Sequence, residues 1–167
     1  ENPVTANMKV QPSDIELVNE LKNIKVPTTI MTNSAENNGN IFGAVDYLNH
    51  KKDIINTGVT IKEYEGGISY HGKSMTIDDD IAIVGSFNMD MRSAYIDTEL
   101  MLVINSKDIN KQLKASMEEY EKKAATVKNE TEYSHIPEGM KMKELSDKKK
   151  NIKAWFGWAM NGLRFLF

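Results

Sequence analysis

The sequence predicts an α/β or α+β sandwich, and three of its features carry that prediction. Helical periods and short β-branched runs alternate along the first 124 residues, the pattern of a sheet flanked by helices. The run Leu100-Met101-Leu102-Val103-Ile104 is apolar throughout, which suits a strand covered on both faces. The 167 residues, 40% hydrophobic and 27% charged, are enough for one compact domain with a tail.

Residues 1–12 read as polar and irregular. Ser13-Asp14-Ile15-Glu16 is a capping box ahead of an apolar stripe at Ile15, Val18, Leu21 and Ile24, so a helix is predicted over 14–24. After Pro27, Thr28 to Met31 reads as a strand. The turn formers from Asn33 to Asn40 make a loop, and Ile41 to His50 a second helix. Gly58 opens a strand over Val59 to Tyr64, which Gly66-Gly67 ends. Ile68 to Met75 and Ile81 to Val84 read as paired strands joined by the turn Asp78-Asp79-Asp80, a solvated hairpin turn in preference to a cation site. Ile96 to Ile104 is a further strand. Ser106 then caps a helix over Lys107 to Ala124 with the stripe Ile109, Leu113, Met117 and Tyr120.

Three regions follow: a folded domain at 1–125 with its core at 26–124, a polar linker at 126–150, and a basic aromatic amphipathic tail at 151–167. Both tryptophans lie in the tail. The tail is too short, and too interrupted by Lys153 and Arg164, to cross a bilayer. Its mixture of Trp, Phe and basic side chains favours lying in a membrane interface. Packing on the domain core, or on a second half, is the competing reading. Residues 1–140 hold 14 basic and 22 acidic side chains, whereas residues 141–167 hold 7 basic and 2 acidic. The acidic body disfavours a nucleic-acid partner, and the basic tail points to an anionic membrane surface. With no cysteine there is no disulfide and no thiolate-held zinc. His50, His71 and His135 lack metal-ligand spacing, so neither metal nor cofactor is expected. His50, at a helix end, and His135, in the linker, read as solvent-exposed. Glu1 to Gln11 carries no secretory signal.

The chemistry concentrates in His71-Gly72-Lys73-Ser74-Met75-Thr76-Ile77-Asp78 and, six residues later, Gly85-Ser86-Phe87-Asn88. On a strand, His71 and Lys73 leave one face, as do Ser86 and Asn88, and a hairpin brings the pairs together. Neutral imidazole can attack phosphorus, a protonated one can supply the leaving alkoxide with a proton, and ammonium and amide donors can hold the phosphate oxygens. Glu99, ahead of an apolar run, reads as a buried carboxylate in need of a partner, with His71 the natural candidate. Asp90 and Arg92 read either as an ion pair near the cleft or as turn caps. Arg92 also suits bidentate contact with a lipid phosphate.

This pattern resembles the HKD motif of the phospholipase D superfamily. Met89-Asp90-Met91-Arg92-Ser93 and Asp97-Thr98-Glu99 make it similar to the second motif of bacterial cardiolipin synthase-like members. The resemblance implies one half-domain of an αβα sandwich around a mixed sheet. It assigns His71 as nucleophile or general acid/base, Lys73 and Asn88 to the phosphate oxygens, and Ser86 to the same turn. Glu99 becomes the carboxylate that orients the histidine, and Asp78 a structural member of the motif. It implies a phospholipid substrate and a phosphohistidine intermediate, in a phosphatidyltransferase or phospholipase D peripheral to a bacterial membrane. The scheme needs a second HKD half, from a homodimer mate or from an N-terminal half that would precede Glu1. The alternatives are a nuclease of the superfamily and a non-catalytic half-domain on an anionic membrane.

Overall fold

The computed structural model describes residues 4–7 and 15–163. In chain order they form β1 (Val4–Asn7), α1 (Ile15–Asn23), β2 (Thr28–Asn33), α2 (Ile41–Ile55), β3 (Thr60–Tyr64), β4 (Ser74–Ile77), β5 (Ile81–Gly85), α3 (Met91–Tyr95), β6 (Met101–Asn105), α4 (Lys107–Glu121), β7 (Ala124–Val127), β8 (Tyr133–His135) and α5 (Asp147–Leu163). The strands make one mixed sheet in the order β6-β5-β4-β1-β2-β3-β7-β8. β1, β2 and β3 are parallel, and the remaining pairs are antiparallel.

The parallel strands require crossovers, and α1 and α2 supply them. Right-handed crossovers put both helices on one face. There Leu21 of α1 and Tyr47 and Ile54 of α2 pack with Ile30 and Ile61. Met31, the neighbour of Ile30 on β2, points the other way and packs with Tyr64 and Ala124. Tyr120 of α4 packs edge-on against Tyr64 and at a tilt against Tyr70 over that second face. The two helical layers around a mixed sheet are the expected αβα sandwich.

The first strand was not legible. Val4–Asn7 falls in the segment read as irregular, yet it lies between β2 and β4 in the sheet. Four residues without strong alternation give no periodic signal. The Ser13-Asp14 part of the expected capping box lies outside the described residues, as do residues 164–167 of the tail. The expected strand over Ile68 to Met75 is corrected to Ser74–Ile77, because residues 65–73 join no ladder. The strand expected over Ile96 to Ile104 is likewise shortened to Met101–Asn105, after the short helix α3. The expectation that this run is covered on both faces fails: β6 is an edge strand, and Leu102 and Val103 are exposed.

The region read as a polar linker is also corrected. β7 pairs with β3 and β8 with β7, so its first part extends the sheet. Its amphipathic signal is weak because the outermost strand is short and mostly solvated. At that edge Lys51 and Glu63 form a buried ion pair at 2.8 Å. Tyr47 and Tyr133 each donate a hydroxyl to Glu63, at 2.6 and 2.5 Å. Burial, and then the Glu63 charge, push the Tyr47 hydroxyl well above its ordinary range. α5 lies along α2, where Asn49 donates to the Gly157 carbonyl at 3.2 Å.

Candidate active site

The hairpin β4–β5 brings the two halves of the motif together, as the spacing predicts. Ser74 pairs with Val84, and the Gly85 amide donates to the Lys73 carbonyl at 3.0 Å. Lys73 donates to His71 Nδ1 at 2.7 Å and to the His71 carbonyl at 3.0 Å. The same ammonium lies 3.2 Å from His71 Nε2, so it faces both ring nitrogens. His71 is exposed and Lys73 half-buried.

After β5 the chain still alternates. Phe87 and Met89 pack into the core, whereas Ser86 is exposed and Asn88 half-buried. Gly85 cannot carry a side chain: a Cβ there would lie 2.1 Å from the Leu100 carbonyl oxygen and 2.9 Å from Met101 Cα. That close approach lets the Ser86 amide donate to the Leu100 carbonyl and the Leu100 amide donate to Ser86 Oγ, at 3.0 and 3.1 Å.

Ser86 donates its hydroxyl to Glu99 in a short hydrogen bond. Hydrogen bonds from Ser86 and Ser93, with the attraction of Lys73, hold the Glu99 carboxyl below its ordinary value. Lys73, Ser86 and Glu99 therefore form one electrostatic cluster beside His71. The expected burial of Glu99 is corrected: it is half-buried, and Leu100 next to it is 78% exposed, because β6 is an edge. The side-chain oxygen of Asn88 is enclosed and accepts no hydrogen bond among the described residues. A vacant acceptor at this place is an unfilled hydrogen-bonding position within the motif.

Other residues fall outside the cluster. Asp78 lies beyond the far end of β4 at φ +49°, and its carbonyl accepts from Lys114. Asp79 pairs with Lys114 at 2.7 Å. Arg92 pairs with Asp97 at 3.0 Å, and Asp90 caps α3 by accepting from the Ser93 amide. His50, expected to be exposed, is instead half-buried beside Asp46 and Asp53, 3.7 Å from each. His135 is exposed, on β8. Among the described residues, no group of three or more acidic or histidine side chains could hold a metal.

A cleft of about 320 Å³ lies beside His71, lined by Asn33, Asn38, Gly39, Asn40, Ser69 and Tyr70. Sequence reasoning assigned these asparagines to a loop. The only signal was their density: four in the eight residues from Asn33 to Asn40.

Comparison with known proteins fits this geometry. The family model described as "Cardiolipin synthase, PLD-like domain" matches residues 5–120. Cardiolipin synthase A of Wigglesworthia glossinidia brevipalpis is 35% identical over 68 residues, 41% of this chain and 14% of that protein. Cardiolipin synthase A of Yersinia pseudotuberculosis is 33% identical over 78 residues, 47% of this chain and 16% of that protein. The matched stretch thus spans about a sixth of those relatives or less. The fold is similar to that of phosphatidylserine synthase from Haemophilus influenzae (TM-score 0.66, 16% identity, all of this chain and 42% of the other). It is also similar to Nuc, a phospholipase D family member from Salmonella typhimurium (TM-score 0.59, 16% identity, 75% and 82%).

Proposed function

Because the chain belongs to the family of cardiolipin synthase, PLD-like domains, we propose that it is one half of a phosphatidyltransferase or phospholipase D-type phosphodiesterase acting on glycerophospholipids. The observation that carries this reading is the contact of Lys73 with His71 beside the Ser86–Glu99 pair, at the end of the sheet where β4 and β6 begin and β5 ends.

In this reading two imidazoles share the work. One attacks phosphorus, forming a phosphohistidine as the ester bond to the leaving alcohol breaks. The other gives that alcohol its proton. The second imidazole then takes a proton from water or an acceptor alcohol, whose oxygen displaces the histidine and frees the product. His71 is one of these two imidazoles. Lys73 and Asn88 hold the non-bridging oxygens, Ser86 shapes that turn, and Glu99 fixes the imidazole through its charge.

The chemistry requires a second histidine at the same phosphate. A second HKD half supplies it, and the exposed apolar residues Tyr95, Ile96, Leu100, Leu102 and Val103 beside the site are the surface on which that half would close. The lipid reading also draws on α5, where Trp155 is 81% and Phe156 57% exposed on a helix bearing exposed Lys148, Lys150 and Lys153. No helix among the described residues is long and apolar enough to cross a membrane. The family match favours a cardiolipin synthase-like transfer at a membrane surface.

The test uses vesicles of phosphatidylglycerol alone, with acid-labile phosphate on histidine followed by mass spectrometry. Cardiolipin as product supports the synthase form, and phosphatidic acid alone identifies a hydrolase. Unaltered turnover in His71→Ala refutes the site.

A further inference from the structure

We propose that Asn33 is a positioning residue for His71, holding the histidine-bearing segment with its side-chain amide where a strand would otherwise hold it. The inference rests on His71 being the reactive group of the phosphoryl-transfer reading.

Residues 65–73 run between β3 and β4 without joining a ladder, and His71 lies inside that stretch. A main-chain segment outside the sheet still needs partners for its N–H and C=O groups. At Tyr70, the residue before His71, one side chain meets both needs. Asn33 Nδ2 donates to the Tyr70 carbonyl at 2.7 Å, and the Tyr70 amide donates to Asn33 Oδ1 at 2.7 Å. This is the paired exchange that two residues make across antiparallel strands. Here a side chain performs it.

Asn33 is suited to the task. It ends β2, pairs across to Tyr64 and is 2% exposed, so its amide projects from a fixed point. Asn37 extends the support. Its Nδ2 donates to Asn33 Oδ1 at 3.1 Å and to the Ile68 carbonyl at 3.2 Å, and its Oδ1 accepts from the Gly67 amide at 3.0 Å. Lys149 of α5 closes the back of the turn carrying Asn37. It donates to the carbonyls of Ala35, Glu36 and Asn38 at 2.8, 2.6 and 3.0 Å. The Tyr70 ring packs against Tyr120, tilted by 54° with centroids 4.4 Å apart, which leaves the segment little room to turn.

Asn33→Asp keeps the acceptor for the Tyr70 amide and turns the donor into a carboxylate oxygen facing the Tyr70 carbonyl. Asn33→Ala removes both bonds. Asn37→Ala removes the outer support alone and serves as the comparison for lost stability. The full chain is followed by phospholipid turnover and by long-range 1H–15N spectra of the His71 ring, which report tautomer and environment without turnover. Both Asn33 variants should lower kcat roughly 10- to 100-fold with little change in KM, the scale expected when a reacting group is displaced by about 1 Å. They should also shift the His71 ring nitrogens, whereas Asn37→Ala changes both far less. The proposal fails if folded Asn33 variants keep the wild-type ring spectrum, or if kcat falls only with the folded fraction. If neither variant folds, hydrogen exchange of the wild-type Tyr70 amide decides: strong protection supports the pairing, and exchange at the open-loop rate overturns it. Wild-type protein that stays without turnover even with a second HKD half supplied, but whose ring spectrum responds to Asn33, would sink the functional reading and leave the Asn33–Tyr70 pairing standing as a structural feature alone.

Discussion

Ser86 and Glu99 show how a hydroxyl sets the charge of a carboxylate at this site. Hydrogen bonds from Ser86 and then Ser93, with Lys73 nearby, lower the Glu99 carboxyl from its ordinary value. A carboxyl that titrates lower when folded favours folding above the ordinary carboxylate range, and that contribution is lost as pH falls through its lowered midpoint. Ser86→Ala removes the first cause. The Glu99 carboxyl midpoint, followed by 13C NMR, should then rise toward the ordinary value, and an unmoved midpoint would contradict the assignment. At this scale much was legible. The turn between β4 and β5 was read from Asp78-Asp79-Asp80, and its hairpin sets the Lys73 carbonyl against the Gly85 amide. The partner of Glu99 was not legible, because which hydroxyl reaches it depends on how β6 lies against Gly85. Arg92 took Asp97 and not Asp90 for a similar reason: Asp90 was already committed to the start of α3.

Among the elements, α2, β3 and β8 meet at the buried Lys51–Glu63 pair, with two phenol hydroxyls on the carboxylate. Lys51→Met leaves that carboxylate buried without its cation and should cost about 3–5 kcal/mol, read from the urea midpoint at constant slope. The other informative element is α5. One side of it packs on α2 and sends Lys149 into the turn at 35–38, while Trp155 and Phe156 face outward. The two readings of the tail, membrane contact and packing on the domain, are thus compatible on different faces of one helix. The double change Trp155→Ala and Phe156→Ala should weaken flotation with anionic vesicles by about tenfold or more, since burying one large apolar side chain is worth about 1.5–3 kcal/mol. The thermal midpoint should stay put, because neither ring is in the core. Equal flotation of the variant would remove α5 as the contact.

For the molecule as a whole, the edge strand β6 and the segment before it expose Leu100, Leu102 and Val103 next to the reactive cluster. An apolar sheet edge left open invites pairing or aggregation. On the proposal that a second HKD half closes there, Leu102→Glu should reduce turnover by about tenfold or more, with light scattering showing loss of the paired species. Unchanged turnover and unchanged mass would place the second histidine elsewhere. The sequence reading anticipated a covered run here, since a continuous apolar stretch carries no information about what covers it.

The sequence alone determined the sandwich class, most helices and strands, and the hairpin that sets Lys73 against Gly85. Those features depend on local periodicity and on the hairpin that runs from Ser74 to Gly85. Tertiary structure decided the rest: β1 in the sheet, β6 at its edge, Glu99 on Ser86, and Asn33 on Tyr70. Each of these joins segments whose separation is set by the packing of other elements. A short strand, or an asparagine in a turn-rich loop, looks the same in sequence whether or not another segment lies beside it.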